Sequence, residues 1–170
     1  SEMCIRDSFN TSDIDYTALK QLVGRSVQVK EDIVEQDPFE HGIRKALNLG
    51  HTVGHAFESM ALAENRPVLH GYAVAWGIVC ELYLSHLKVG FPKEKMRQTI
   101  QFIKDNYGVF TFDCKKYEQL YAFMTHDKKN TSGTINFTLL KDIGDIRINQ
   151  IADKDTIFEM LDFYRECMGI

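Results

Sequence analysis

Only two stretches of this sequence alternate polar and apolar residues as β-strands do, and this limits the fold more than any other feature. They are residues 134–140 and 145–151, and Lys141-Asp142-Ile143-Gly144 lies between them. That spacing is typical of one β-hairpin. The chain before and after it has helical spacing of its apolar residues. The sequence therefore predicts an all-α domain, a bundle-like set of helices with one small β-hairpin.

Glycines, prolines and cap residues divide the helical part into segments. Ser12 or Asp13 can cap a first helix that runs to about Glu35. Asp37-Pro38 then interrupts the pattern and suits the start of a new helix, and Glu40 stands where a capping-box acid belongs. The remaining helices are predicted at about residues 43–62, 71–88, 93–107, 114–126 and 154–167, with a loop at 63–69.

Length and charge exclude several classes of function. The 170 residues suit one domain with a hydrophobic core, and the formal charge of −4 offers no basic surface for nucleic acid. No apolar run approaches the roughly 20 residues of a membrane span. The four cysteines form no CxxC pair, which favours a reducing compartment and therefore a cytoplasmic location. The N-terminus does not resemble a signal peptide.

Four polar side chains are predicted to share one face of the helix at 43–62. His51 and His55 are four residues apart, and the same stripe extended backwards reaches Asn48 and Arg44. A solvated polar face is one interpretation. Apolar residues cover the other sides, however, so the helix is expected to be largely enclosed, and burying such groups without partners would be costly.

A third histidine, His70, opens the next helix after the loop and can fold back towards this pair. Two imidazoles and one carboxylate are a common ligand set for a catalytic zinc ion. Glu58 shares the face of His51 but lies two turns away, about 10 Å along the axis. We therefore expect Glu58 to have a pairing or surface role, which leaves the carboxylate ligand unidentified.

Several motifs of this sequence resemble, in residues, spacing and order, those of one enzyme family. The string Arg44-Lys-Ala-Leu-Asn48-Leu-Gly-His51-Thr-Val-Gly-His55-Ala-Phe-Glu58 closely resembles the signature segment of 3-dehydroquinate synthases, and residues 69–77 resemble the next one. Lys30, residues 37–44, residues 127–129 and residues 136–144 complete the series in the family's order. The resemblance implies that residues 9–170 form the metal- and substrate-binding C-terminal domain of that family. Residues 1–8 fit it poorly and are expected to be a non-native or unstructured extension.

The resemblance also implies roles in metal binding and catalysis. His51 and His70 would be metal ligands, for zinc or cobalt. His55 would lie close to the substrate and transfer protons, which suits a side chain that titrates near neutral pH. Glu40 matches the acid that handles protons in the family, and Lys30 would act at the same site. The alternatives are that Glu40 only caps a helix and that Lys30 is a surface lysine.

The implied substrate is a seven-carbon sugar-acid phosphate, whose carboxylate and phosphate suit cationic partners. One of the two adjacent lysines at 128 and 129 could equally flank a polar turn. The implied substrate-binding residues are Lys30, Arg44, Asn48, His55, His70, Lys128 and Lys129.

The family uses NAD, which its N-terminal α/β domain binds together with one glutamate ligand of the metal. Neither is found in this chain, so we expect the isolated polypeptide to be inactive and to need the missing N-terminal domain. The full-length protein is expected to be a homodimer. Two alternatives stay open: a metal-dependent polyol or alcohol dehydrogenase, and a non-catalytic helical fragment.

Overall fold

The computed structural model describes residues 16–126 and 134–170. The chain divides into two compact units, Ser1–Leu47 and Asn48–Ile170. The extension expected at residues 1–8, the cap residues Ser12 and Asp13, and the lysines Lys128 and Lys129 all lie outside the described residues.

The smaller unit contains helix α1, Tyr16–Gln36. This confirms the predicted first helix over its described part and places its end one residue later than expected. None of the residues of α1 is buried. Lys30 is exposed on this helix.

The segment after α1 is a turn, and the prediction of a capped α-helix starting at Pro38 is wrong. The Asp37 carboxylate accepts backbone hydrogen bonds from His41 at 2.9 Å, Gly42 at 2.7 Å and Arg44 at 3.1 Å. The bonds from Gly42 and His41 hold the pKa of Asp37 below its usual value. Because this carboxylate organises a turn, Glu40 adopts a φ of 58° instead of a helical one. A 3₁₀ helix, Ile43–Asn48, follows.

The larger unit contains the other helices and the hairpin. A 3₁₀ turn, Cys114–Lys116, precedes the fifth α-helix, where one continuous helix was predicted. No helix among the described residues is long and apolar enough to cross a membrane. In chain order the elements are α2 (His51–Ala63), α3 (His70–Val89), α4 (Lys93–Tyr107), α5 (Tyr117–Thr125), β1 (Ile135–Asp142), β2 (Asp145–Ala152) and α6 (Lys154–Met168).

The two strands pair antiparallel, from Ile135 opposite Ala152 to Asp142 opposite Asp145. This confirms the predicted hairpin and shortens its turn to Ile143 and Gly144, where Gly144 has a φ of 82°. One strand is anchored to the core, since the backbone N–H of Leu140 donates to the Ser85 hydroxyl at 3.0 Å.

Helix α3 lies at the centre of the larger unit, against α2, α4, β1 and α6. Its buried residues extend from Ala73 to Ser85, which explains why the sequence of α3 is an almost continuous apolar run from Ala73 to Leu84. Beside it, four aromatic rings pack with centroids 5.1–6.1 Å apart; they belong to Phe57, Phe110, Phe112 and Tyr164.

Three glycines bring the backbones of α2 and α3 into contact. A Cβ atom added to Gly77 would lie 2.6 Å from the Gly54 nitrogen and closer still to the Gly50 carbonyl oxygen. A Cβ atom at Gly54 would lie 3.0 Å from the Ala73 carbonyl oxygen. Side chains at these positions would force the helices apart, so glycine sets their distance.

This contact also breaks the helix that was predicted at residues 43–62. Gly50 has a φ of 80°, in the left-handed region, and caps the N-terminus of α2. The predicted single helix is therefore two elements, the 3₁₀ helix Ile43–Asn48 and α2, with Leu49 and Gly50 between them. Helical periodicity alone gives no sign of the break, because its cause is the close approach of α3.

Candidate metal centre

Three histidine rings converge where α2 and α3 begin. The ring centroids of His51 and His55 are 5.4 Å apart, those of His51 and His70 are 5.4 Å apart, and those of His55 and His70 are 5.6 Å apart. The spacing of four residues places the first two rings on one side of α2, and the glycine contact brings the start of α3 beside them. The expected convergence of His51 and His70 is therefore observed.

The His51 ring is held by the backbone just before its helix. Its Nδ1 lies 3.1 Å from the Leu49 carbonyl oxygen. A carbonyl oxygen can only accept, so Nδ1 carries a hydrogen, and in the neutral ring the lone pair is then on Nε2. A ring held in this way, with a backbone carbonyl on one nitrogen, is typical of metal-ligating histidines. His51 is half-buried.

A carboxylate completes the group. The Nδ1 of His70 lies 3.0 Å from Oε2 of Glu58, and 52% and 39% of the two side chains are exposed. Glu58 thus pairs with His70, which is one of the two roles expected for it. Ligand atoms of His55, Glu58 and His70 all lie within 4.8 Å of one another. Among the described residues this set could hold a metal ion, with one carboxylate and two imidazoles. It contains the predicted ligand His70, but it contains His55 in place of the predicted ligand His51.

The other predicted site residues are distributed between the two units. Asn48 ends the 3₁₀ helix at the start of the larger unit, whereas Lys30, Glu40 and Arg44 belong to the smaller unit. The guanidinium of Arg44 donates to the Pro38 carbonyl oxygen at 2.8 Å. The prediction that positions 44, 48, 51 and 55 share one continuous helix face is wrong, because the helix breaks at residues 49 and 50.

Sequence reasoning missed one residue beside this centre, Glu81. Its side chain is fully buried on α3, and its Oε2 accepts a hydrogen bond from the backbone nitrogen of Val53 at 3.4 Å. Burial raises the pKa of this carboxyl well above its ordinary value of 4.5. The available signal was an acid inside the apolar run of α3, where a glutamate is rare unless it has a partner.

Comparison with known proteins identifies relatives. The family profile described as 3-dehydroquinate synthase C-terminal matches residues 3–130. A 3-dehydroquinate synthase of Parabacteroides distasonis is 60% identical over 162 residues, which are 95% of this chain and 46% of that protein. One of Leptospira interrogans is 43% identical over 147 residues, 84% of this chain and 40% of that protein. The chain thus spans less than half the length of these curated relatives.

A solved structure has the same fold. The crystal structure of 2-deoxy-scyllo-inosose synthase, complexed with carbaglucose-6-phosphate, NAD⁺ and Co²⁺, aligns with a TM-score of 0.70. The alignment covers 96% of this chain and 50% of that one, at 18% sequence identity. This similarity supports the all-α fold with a single hairpin that the sequence predicts.

Proposed function

The chain belongs to the 3-dehydroquinate synthase family, whose C-terminal domain it matches, and from this we propose that it supplies the metal- and substrate-binding domain of that lyase. The reaction converts 3-deoxy-D-arabino-heptulosonate 7-phosphate to 3-dehydroquinate and phosphate, in the shikimate pathway. The observation that carries this proposal is the convergence of three imidazoles from two helices, with a carboxylate beside them.

The donor set fits a divalent transition-metal ion. Imidazole nitrogens and a carboxylate oxygen are ligands that suit zinc and cobalt. We propose His51 and His70 as ligands, because the motif assigns them, because their rings converge, and because the neutral His51 ring would offer Nε2 to a metal. Glu58 orients His70 through its Nδ1 and is close enough to become a ligand itself.

The other side chains of the site act on protons and on the anionic groups of the substrate. His55 is exposed beside the two proposed ligands, so its imidazole can exchange protons with a bound substrate. Arg44, Asn48 and Lys30 are proposed to hold substrate oxygens, and one of Lys128 and Lys129 is proposed to bind an anionic group. Glu40 is proposed to handle a second proton.

The redox part of the reaction needs groups that this chain does not supply. A bound cation would make the secondary hydroxyl of the substrate more acidic, and NAD⁺ would accept a hydride and later return it. We assign the NAD site, and the remaining metal ligand, to the N-terminal domain of the full-length protein, which we propose to be a homodimer. A cytoplasmic location is supported by the free thiols of Cys80, Cys114 and Cys167.

A chimera tests the proposed activity. This chain would replace the corresponding C-terminal part of the Parabacteroides distasonis relative, to which it is 60% identical. With NAD⁺ and Zn²⁺ or Co²⁺, we expect the chimera to release phosphate from the seven-carbon substrate without net formation of NADH. The 170-residue chain alone should release none.

Matched variants of the chimera connect the activity to the site. His70→Ala should abolish phosphate release, whereas His126→Ala, which changes an exposed histidine at the end of α5, should not. Net accumulation of NADH with a polyol substrate would instead identify a dehydrogenase. A well-folded chimera that carries out neither reaction would contradict the proposal.

A further inference from the structure

Helix α2, which carries two of the clustered histidines, has no N-cap side chain of its own. Its N-cap residue is Gly50, and no side-chain cap bond is made from that position. The first backbone N–H groups of any helix need acceptors from outside the helix. Here Oε2 of Glu81, on the neighbouring helix α3, accepts from Val53 at 3.4 Å, and the backbone of Gly50 also bonds to this carboxyl.

The position of this carboxyl is unfavourable for stability alone. Glu81 is 0% exposed, and its second oxygen, Oε1, has no hydrogen-bond partner among the described residues. Its neighbours Cys80 and Leu82 belong to the hydrophobic core. A buried polar atom without a partner destabilises a fold, and an apolar side chain of similar size would avoid that cost. The residue type therefore needs an explanation beyond core packing.

We propose that Glu81 is a positioning residue for the metal centre. Its carboxyl anchors the first turn of α2 to α3 and so fixes the backbone from which His51 and His55 project towards His70. The glycine contact between the helices sets their separation, and the hydrogen bonds to Glu81 prevent the first turn of α2 from fraying. This inference rests on the proposed function only in assigning the metal to these histidines.

The chemistry of the contact predicts which substitutions are tolerated. Glu81→Gln keeps an oxygen that can accept from the same backbone N–H groups, and it resembles the neutral carboxyl that burial favours. Glu81→Leu has a similar volume and no acceptor. Ser85→Ala is a matched control, because Ser85 is also fully buried on α3, but its hydroxyl bonds to the backbones of Glu81 and Leu140 and not to α2.

Two measurements on the 170-residue chain test the proposal without metal. In Glu81→Leu, we expect amide hydrogen exchange of residues 50–54 to be about tenfold faster, while exchange in α6 is unchanged. The ring resonances of His51 and His55 in NMR spectra should also shift. Glu81→Gln and Ser85→Ala should leave both readouts close to the parent.

Titration with Co²⁺ then measures the consequence for the site. We expect Glu81→Leu to bind Co²⁺ about tenfold more weakly than the parent, as for other residues that orient metal ligands, and Glu81→Gln and Ser85→Ala to bind as the parent does. If the parent itself binds no Co²⁺, the proposed metal role fails, and exchange and histidine resonances still decide the positioning role.

Several outcomes would overturn the inference. Unchanged exchange at residues 50–54 in Glu81→Leu would show that the carboxyl does not hold this turn. Faster exchange with unchanged histidine resonances would show a purely structural cap. If Glu81→Leu does not fold, Glu81→Gln decides, because faster exchange in that variant would show that an acceptor at this position is insufficient.

Discussion

Single buried polar side chains hold separate parts of the larger unit together, and Tyr164 on α6 is one of them. Its hydroxyl donates to the Phe110 carbonyl oxygen and accepts from the Phe110 backbone nitrogen, both at 3.0 Å. Burial raises the pKa of Tyr164, so the hydroxyl keeps its proton. One side chain therefore satisfies both backbone groups of a residue in the segment between α4 and α5.

Replacing this tyrosine should measure the contact. Tyr164→Phe leaves two buried backbone groups without partners, so we expect the free energy of unfolding to fall by about 1–3 kcal/mol. Urea denaturation gives this value. Tyr121→Phe is the control, because Tyr121 is only half-buried and its ring packs edge-on against Phe158. Equal losses in the two variants would contradict the assignment.

The charge state of Glu81 gives a second prediction, on pH. Burial raises its pKa in the folded state above the ordinary value of 4.5, so the unfolded chain releases this proton first as pH rises. Above about pH 4.5 the unfolded state therefore binds fewer protons than the folded one, and this group lowers stability progressively with pH. Asp37 and Asp153, whose pKa values hydrogen bonds lower, act in the opposite sense, adding stability that is lost as pH falls.

The difference in the free energy of unfolding between Glu81→Gln and the parent isolates the contribution of Glu81. We expect Glu81→Gln to gain stability relative to the parent as pH rises from about 5 to 8, because only the parent has the titrating group. Chemical denaturation at a series of pH values provides the comparison, and the other carboxylates cancel. A difference that is constant over this range would show that Glu81 is ionised in the folded protein.

The histidines and the buried acid also show what can be inferred at this scale. The convergence of His51 and His70 could be predicted, because their motifs lie on consecutive helices joined by a short loop. Imidazoles also rarely recur on one helix face by chance. The contact of Glu81 with the start of α2 could not be predicted from the sequence, because it depends on how the two helices cross. Its presence inside an apolar run was the one visible signal.

At the scale of elements, the contact between α2 and α3 decides the geometry of the site. The bounds of α3 and of the hairpin were predicted closely, as was the end of α2, because periodicity and glycines mark them directly, whereas α2 begins eight residues later than predicted. The break at Gly50 was not predicted, since a single glycine in a helical pattern has several meanings. The close approach of Gly77 on α3 to the backbone of Gly50 explains why the chain turns there.

Two glycines on the same helix test this contact. Gly77→Ala would place a methyl group against the backbone of Gly50 and Gly54, which cannot move aside as a flexible side chain could. We expect a loss of stability of about 1–3 kcal/mol or more and weaker binding of Co²⁺ as the helices separate. Thermal denaturation and metal titration measure the two effects.

The matched control is Gly71→Ala, near the start of α3. A Cβ atom at Gly71 meets nothing within 4 Å, so alanine should be neutral or stabilise the helix by up to about 1 kcal/mol. A Gly77→Ala variant as stable as Gly71→Ala would show that the helices tolerate a wider separation.

At the scale of the whole molecule, the proposed site residues are divided between the two units. The buried hydrophobic core of the described residues lies entirely within the larger unit, from Val53 to Met168, and α1 has no buried residue. The histidine cluster and Glu58 belong to that unit as well, while Lys30, Glu40 and Arg44 belong to the smaller one. Stability and metal binding should therefore be separable from the part of substrate binding that is proposed for Lys30 and Arg44.

Deleting residues 1–47 should reveal this separation. Because the core is retained, we expect residues 48–170 to unfold cooperatively and to bind Co²⁺ with an affinity similar to that of the whole chain. In the chimera with the Parabacteroides distasonis relative, the same deletion should abolish phosphate release, because the proposed substrate-binding Lys30 and Arg44 and the proposed proton-handling Glu40 are lost. The triple substitution of Lys30, Glu40 and Arg44 by alanine is the matched control and should behave like the deletion in both assays. Retention of activity after either change would remove the smaller unit from the mechanism, and loss of cooperative unfolding after the deletion would show that the larger unit depends on residues 1–47 to fold.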